Sequence, residues 1–483
     1  MLDIVIVNVP GTMVRLPFSA PAILKSAIQL AGFTCKTIDF NVRFYNTVNE
    51  NKIQELENFF STGVNDECLS DAKNLIEHWA DEIIKHNPKY LGISVFTYQN
   101  RIATRLLCEY IKQKSPMKII LGGQGLTDGG ILGAQGFAKE LMNNGLIDFY
   151  VKSEGERSLV ELLKGNLNYP GINTDTFEQI TDLDSLPIPD YSDYEMNLYS
   201  RSALPITSSR GCVRACSFCD IHDHWKYSYR SGKLVAEEII FLNKKYGINE
   251  FFFTDSLVNG SLKEFKIFCQ ILADYNINGK IKWSGQYIIR SARDLSEEYW
   301  NNLSKSGGQK LAIGIETGSD NVRSHMNKKF TNEDIDYTMG MLDKYNITCV
   351  FLIIIGYPTE TLQDFQDTLH MFDRYKHLAN RIIVDISLGS TLAILPNTPL
   401  YNKAKEYHID IDTYENNWIA NDNLDLTVTE RLRRVKYAKE YAIKLGYFAN
   451  DDAEGILNIL ERQLPIFDKR NKIKKIIQIN KEI

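Results

Sequence analysis

Cysteine is scarce in this chain, with eight in 483 residues. That is too few to staple a protein of this length, so a disulfide framework of the secreted kind is excluded. Five of them, Cys35, Cys68, Cys108, Cys269 and Cys349, stand alone in apolar surroundings and read as ordinary buried residues. Long hydrophobic runs are missing too, since no uninterrupted apolar stretch approaches the roughly 20 residues a membrane helix needs. The opening "MLDIVIVNVP" has no basic segment ahead of its apolar run, unlike a secretory leader. A cytoplasmic protein without membrane attachment is therefore expected. Neither sign of charge dominates: a formal net charge of −6 gives no electrostatic footprint for wholesale nucleic-acid binding. The tail "DKRNKIKKIIQINK" is locally basic and is expected to form a solvated helix face. What the chain does have, 44% hydrophobic and 24% charged residues, suffices for two or three cores without a bias toward disorder.

Residues 1–165 alternate strand-like and helix-like stretches: "DIVIVNVP", "APAILKSAIQLAGF", "CKTIDF", "YLGISVFT", "IATRLLCEYIKQ" and "KIILGGQG". Continuous β-branched runs between helical periods predict an α/β domain with a doubly wound parallel sheet, covered on both faces. Gly122, Gly123 and Gly125 directly follow the strand "KIIL", at a carboxyl end where such sheets bind ligands. A tight turn from strand to loop explains these glycines equally well. Residues 166–201, including "LDSLPIPDYSDYEMNLYSRS", are rich in Pro, Tyr, Asp and Ser without clear periodicity and read as a linker.

A second alternation fills 202–395, with strands at "LPITSSR", "EFFFTD", "KIKWSGQ", "KLAIGIE", "TCVFLIIIG" and "RIIVDISL". Six βα units in series predict a partial TIM-type barrel, whose functional residues belong just after the strand carboxyl ends. Cys212 follows the first of these strands, Asp255 ends the second, Glu316 ends the fourth, and Gly356 to Pro358 end the fifth. Residues 396–483 are polar and helix-compatible, and a mostly helical region is expected there.

The remaining three cysteines crowd into "SSRGCVRACSFCD" as Cys212, Cys216 and Cys219. A structural zinc site wants four closed ligands, and the fourth would have to be His222 or His224. A redox pair needs two thiols and leaves the third unexplained. Three thiolates instead suit a four-iron cluster with one iron open to substrate, and Phe218 would shield it as an apolar neighbour.

C-x-x-x-C-x-x-C after the first strand of a partial barrel resembles the radical S-adenosylmethionine superfamily. The resemblance continues through "KWSGQYIIRSARDL", "LAIGIETGSDNVRSHMNKKFTNEDI", "FLIIIGYPTETLQDF" and "LPNTPLYNKA", nearly all of 202–405. It implies a [4Fe-4S] cluster on Cys212, Cys216 and Cys219, S-adenosyl-L-methionine chelated to the open iron, and one-electron cleavage to a 5′-deoxyadenosyl radical that abstracts hydrogen. It further implies that Glu316 accepts bonds from the ribose hydroxyls, that Arg290 partners the methionyl carboxylate, and that Gly356 lets backbone approach the adenine. Where the family has a glycine-glycine-glutamate motif or paired carboxylates, this chain has "FFFTDSL", which leaves Asp255 alone toward the amino group. A one-electron donor such as flavodoxin or ferredoxin is an expected partner, and a small molecule the expected substrate.

"IILGGQGLTDGG" and "IDFYVKSEGERSLVELLKG" resemble the cobalamin-binding domain fused to one subfamily of these enzymes. Cobalamin is thus an expected cofactor, with Gly122, Gly123 and Gly125 on its loop, and methyl transfer to an unactivated carbon the expected reaction. The alternative is a cobalamin-independent radical enzyme with a degenerate first domain. D-x-H-x-x-G, which supplies a histidine to cobalt in other cobalamin proteins, is absent from 1–150. "DIHDHW" at Asp220 holds D-x-H without the glycine, so cobalt is expected to lack a histidine ligand.

Overall fold

In a computed structural model, the described residues are 2–11, 15–64, 66–127, 136–389, 391–411, 417–420, 422–423 and 426–449. The chain divides into two compact units, 1–206 with 246–250, and 207–245 with 251–483.

The first unit holds a parallel sheet of β1 (Ile4–Asn8), β2 (Cys35–Asp39), β3 (Tyr90–Ser94), β4 (Lys118–Gly122) and β5 (Phe149–Val151), in the order β2-β1-β3-β4-β5. Side chains alternate faces along a strand, and here both faces are apolar. Val5, Val7, Ile93 and Ile119 enter one core, while Ile4, Ile6 and Ile120 enter another. The order reverses between β1 and β3, which makes the loops after these strands a topological switch point.

Residues 166–201, expected as a linker, are strapped to this unit. Buried Lys25 reaches Asp193 at 2.6 Å, Ser192 at 2.8 Å and Asp190 at 3.2 Å. Tyr199 donates to Asp39 at 2.6 Å, and Ser26 donates to the Ile188 carbonyl at 2.7 Å. The breaker-rich composition marks a segment without regular structure, yet side-chain hydrogen bonds order it in place of a backbone ladder.

The second sheet contains β6 (Ala203–Ile206), β9 (Glu250–Phe253), β10 (Lys282–Tyr287), β11 (Gly308–Glu316), β12 (Cys349–Ile353) and β13 (Ile383–Ser387); β7 (Ser209–Arg210) and β8 (Ser228–Tyr229) form a short antiparallel pair apart from it. The sheet runs β13-β12-β11-β10-β9-β6, strictly in chain order, with β10 through β13 parallel. That is the succession expected of a partial barrel, with helices such as Leu262–Tyr275, Asn332–Lys344 and Leu362–Tyr375 between strands. Capping boxes at Thr331/Asp334 and Thr361/Asp364 set where the last two helices start, and so bound the loops after β11 and β12.

The final region is not simply helical. β14 (Ile409–Ile411) and β15 (Trp418–Ala420) pair antiparallel before the helix Val428–Lys444. The basic tail at 468–481 lies outside the described residues. Among the described residues, no helix is long and apolar enough to cross a membrane.

Candidate functional site

The three clustered cysteines sit on the loop after β7, which turns at Gly211 with φ +77°; a Cβ there would lie 2.8 Å from the Trp225 carbonyl oxygen. All three are free thiols, Cys216 buried and the others half-buried. The Arg214 amide donates to Cys212 Sγ at 3.4 Å. Burial raises each thiol above its ordinary range, Cys219 to about 11, while the Arg214 amide and the charges of Lys328, Arg214 and Arg290 pull Cys212 back toward the thiolate. The loop is firmly seated. Asn327 donates to the Ala215 carbonyl at 2.7 Å, the Ser217 amide to Met326 at 3.1 Å, and the Ser217 and Tyr357 hydroxyls share a bond of 2.8 Å.

Three thiols on a pinned, partly open loop suit a cluster that keeps one iron free. Among the described residues, no three His, Cys, Asp or Glu side chains gather where one metal ion could be held. Each thiolate of a four-iron cluster binds a different iron, so the donor set fits the cluster in chemistry. Half of the zinc alternative's fourth ligand is placed: His222 Nδ1 lies 3.4 Å from the Cys212 carbonyl oxygen and closes the loop, while the His224 side chain lies outside the described residues.

Glu316 ends β11 in a left-handed conformation, φ +69°, and its carboxylate is buried. For a non-glycine residue this backbone costs of order 1–3 kcal/mol and is held by its surroundings. Lys328 Nζ donates to Glu316 Oε1 at 2.6 Å and to the Gly314 carbonyl at 3.1 Å, and lies 5.6 Å from the centre of the Phe218 ring. Gly314 makes room for this pair, because a Cβ there would stand 2.5 Å from Glu316 Oε1. Burial works to deprotonate Lys328, but Glu316, Cys216 and Cys212 outweigh it and raise its pKa. A protonated ammonium and a carboxylate therefore face the thiol loop together. Residue-by-residue reading missed Lys328. The doublet Lys328-Lys329 looks like solvent-facing charge in sequence, and burial of its first member is set by the Glu316 backbone.

Other expected contacts are already engaged. Arg290 donates through Nη2 to the Asn259 and Gly260 carbonyls, bracing the loop after β9, and its buried Nε has no hydrogen-bond partner among the described residues. Buried Asp255 accepts the Ser208 amide at 2.9 and 3.0 Å as well as the Ser208 hydroxyl, clasping the end of β9 to the loop that leads into β7. Burial lifts its carboxyl to about 7 despite these donors. Gly356 has φ +79°, and a Cβ there would stand 2.6 Å from Arg431 Cγ. The Arg431 stem thus gives that glycine a structural reason of its own.

At the carboxyl edge of the first sheet, Gly123 has φ +107°, and a Cβ would lie 2.4 Å from the Val95 carbonyl oxygen; at Gly125 it would lie 2.4 Å from that of Thr97. These two glycines serve the turn. At Gly122 the nearest atom is 4.0 Å away, so this position keeps free space. Phe96 and Tyr98, beside the turn, are 50% and 64% exposed, and Phe18 packs on Phe96 with ring centres 4.8 Å apart.

Residues 206–372 match the model of the radical SAM superfamily. The anaerobic magnesium-protoporphyrin IX monomethyl ester cyclase of Cereibacter sphaeroides is 26% identical over 58% of this chain and 48% of its own. An uncharacterized methyltransferase of Pyrococcus horikoshii is 24% identical over 64% of this chain and 66% of its own. The chain thus spans about half to two thirds of these curated relatives. Among solved structures, the radical S-adenosylmethionine methyltransferase TsrM of Kitasatospora setae, with cobalamin and a [4Fe-4S] cluster bound, superposes with a TM-score of 0.60 at 16% identity, over 86% of this chain and 78% of that one. The cobalamin-dependent enzyme OxsB, with aqua-cobalamin bound, gives 0.57 at 18% identity, over 83% and 55%. At these identities the two structures speak for the fold.

Proposed function

Because residues 206–372 are a radical SAM superfamily domain, which implies a [4Fe-4S] cluster and S-adenosylmethionine, we propose that the chain is a cobalamin-dependent enzyme that methylates an unactivated carbon of a small molecule. The observation that carries the radical part is the meeting of a pinned three-thiol loop with the buried Glu316–Lys328 pair. When bound, the cluster would supply the electron, S-adenosylmethionine the hydrogen-abstracting radical and cobalamin the methyl group.

The chain's own residues divide the remaining work. Cys212, Cys216 and Cys219 would hold the cluster. Glu316 offers a buried acceptor to a vicinal diol. Lys328 pairs with that carboxylate and offers a cation beside it to a carboxylate ligand, as is expected of Arg290, whose Nη2 holds two backbone carbonyls. Seating of the loop against 325–327 and Tyr357 keeps its geometry while ligands exchange.

The cobalamin part is supported by the strand order, by the exposed Phe96 and Tyr98 after β3 at the switch point, which offer a flat-faced ligand an apolar approach, and by the free space at Gly122 at the end of the neighbouring β4. Purification with hydroxocobalamin tests it. The protein should retain about one cobalt per chain with the spectrum of a corrinoid lacking imidazole. Gly122→Leu should lose cobalt and keep its melting temperature, whereas Gly123→Leu should unfold the domain through its collision with Val95. A folded wild-type protein that carries the cluster and no cobalt would favour the cobalamin-independent alternative.

A further inference from the structure

The helix Val428–Lys444 is wired to the cysteine loop. Arg434, on the helix Val428–Lys444, donates through Nη1 to Glu360 Oε1 at 2.9 Å, and Glu360 is completely buried. The other oxygen, Oε2, accepts the Gly356 amide at 3.0 Å, and the Glu360 amide donates to the Tyr357 carbonyl at 2.8 Å. Glu360 therefore closes the 356–360 turn on itself while Arg434 fixes the turn to the helix. Arg431, three positions before Arg434 on the same helix, fills the side of Gly356 where a Cβ would lie and stacks on Trp418 at 3.8 Å. The turn has no freedom to shift without breaking a buried ion pair.

Tyr357 stands on that turn and is buried. Its hydroxyl meets the Ser217 hydroxyl at 2.8 Å and donates to the His325 carbonyl at 3.3 Å. Ser217 is the residue after Cys216 and two before Cys219. Its backbone is held on both sides, the amide by Met326 and the carbonyl by the Leu400 amide at 2.6 Å. The path from the helix to the thiols is thus continuous: Arg434, Glu360, the Gly356–Tyr357 turn, Ser217.

We propose that Tyr357 is a positioning residue for the cysteine loop, with its hydroxyl holding Ser217 so that Cys216 and Cys219 keep cluster-binding geometry, and that the Glu360–Arg434 pair of the C-terminal helix holds Tyr357 in place. The proposal rests on the cluster reading. Hydrogen bonding and seating around a cluster are levers on its retention and potential, so the hydroxyl pair acts on the cluster and not merely on the fold.

The test uses the full chain, reconstituted anaerobically, with three readouts: iron and sulfide content, the reduced-state paramagnetic resonance spectrum, and the rate of cluster loss to an iron chelator. Tyr357→Phe and Ser217→Ala remove the same bond, so each should lose its cluster severalfold faster than wild type with a shifted resonance. Each hydroxyl also reaches the His325 carbonyl, Ser217 at 3.2 Å and Tyr357 at 3.3 Å, so the double variant should be worse than either single variant but by less than the product of their effects, because the shared bond is removed only once. Glu360→Gln, which weakens the hold on the turn, should fall between wild type and Tyr357→Phe. Tyr375→Phe, at a buried tyrosine bonded to Asp336 away from this path, is the matched control and should behave as wild type. Wild-type rates and resonance in Tyr357→Phe would overturn the proposal and leave the cluster reading standing. So would additive effects of Tyr357→Phe and Ser217→Ala. A wild-type protein that takes up no cluster would overturn both.

Discussion

Glu316 shows how much of the site is decided by a single backbone position. Its left-handed φ turns the carboxylate into the interior, where Lys328 meets it and a side chain at Gly314 would block it. Replacing Glu316 with Gln keeps the volume and removes the charge. It should weaken S-adenosylmethionine binding by roughly 10- to 100-fold, as expected when a charge-assisted hydrogen bond of about 1.5–3 kcal/mol is lost. Cluster content should not change, since no cysteine is touched. Equilibrium binding under anaerobic conditions measures this directly, and unaltered affinity would remove Glu316 from the ligand site. At this scale the sequence showed where residues sit, with Cys212, Cys216 and Cys219 on the loop after β7 and Glu316 at the end of β11. It did not show which neighbours a side chain meets. Arg290 and Asp255 are engaged by Asn259, Gly260 and Ser208, contacts made across loops that no periodicity encodes.

Among the elements, the strap at 166–201 is held in part by one buried cation. Lys25 holds Asp190 and Asp193, partners more than 160 positions away along the chain. Although burial alone would raise the Asp190 pKa, Tyr246, the Ser192 amide and Lys25 hold it well below the usual carboxylate range. A depressed carboxylate contributes its stability above the unfolded-state pKa of about 3.9 and loses it as pH falls toward the folded value. Lys25→Met should therefore destabilise the first unit by about 1–3 kcal/mol at pH 7, through carboxylates left without their cation. That difference from wild type should shrink as pH drops below about 3.9. Thermal melts of both proteins from pH 7 to 3 check the sign; a gap that widens on acidification would contradict it. The strands of both sheets could be read from continuous β-branched runs such as "DIVIVNVP", because parallel strands buried on two faces have no polar side to show. The strap and the β14–β15 hairpin could not, since the first is ordered by distant side chains and the second by two three-residue strands.

For the whole molecule, the two sheets expected from the sequence are both present, the first in the order β2-β1-β3-β4-β5 and the second in strict chain order. Such folds serve many reactions, so the activity must be argued from the site. The claim that matters most is that Cys212, Cys216 and Cys219 hold a four-iron cluster that cleaves S-adenosylmethionine by one electron. The most direct measurement is 5′-deoxyadenosine release from the anaerobically reconstituted, chemically reduced protein supplied with S-adenosylmethionine, alongside iron and sulfide analysis. The account predicts about four irons and four sulfides per chain and release of 5′-deoxyadenosine that is abolished by Cys216→Ala and retained by Cys269→Ala. Stoichiometric zinc without sulfide, or a full cluster that releases no 5′-deoxyadenosine, would contradict it.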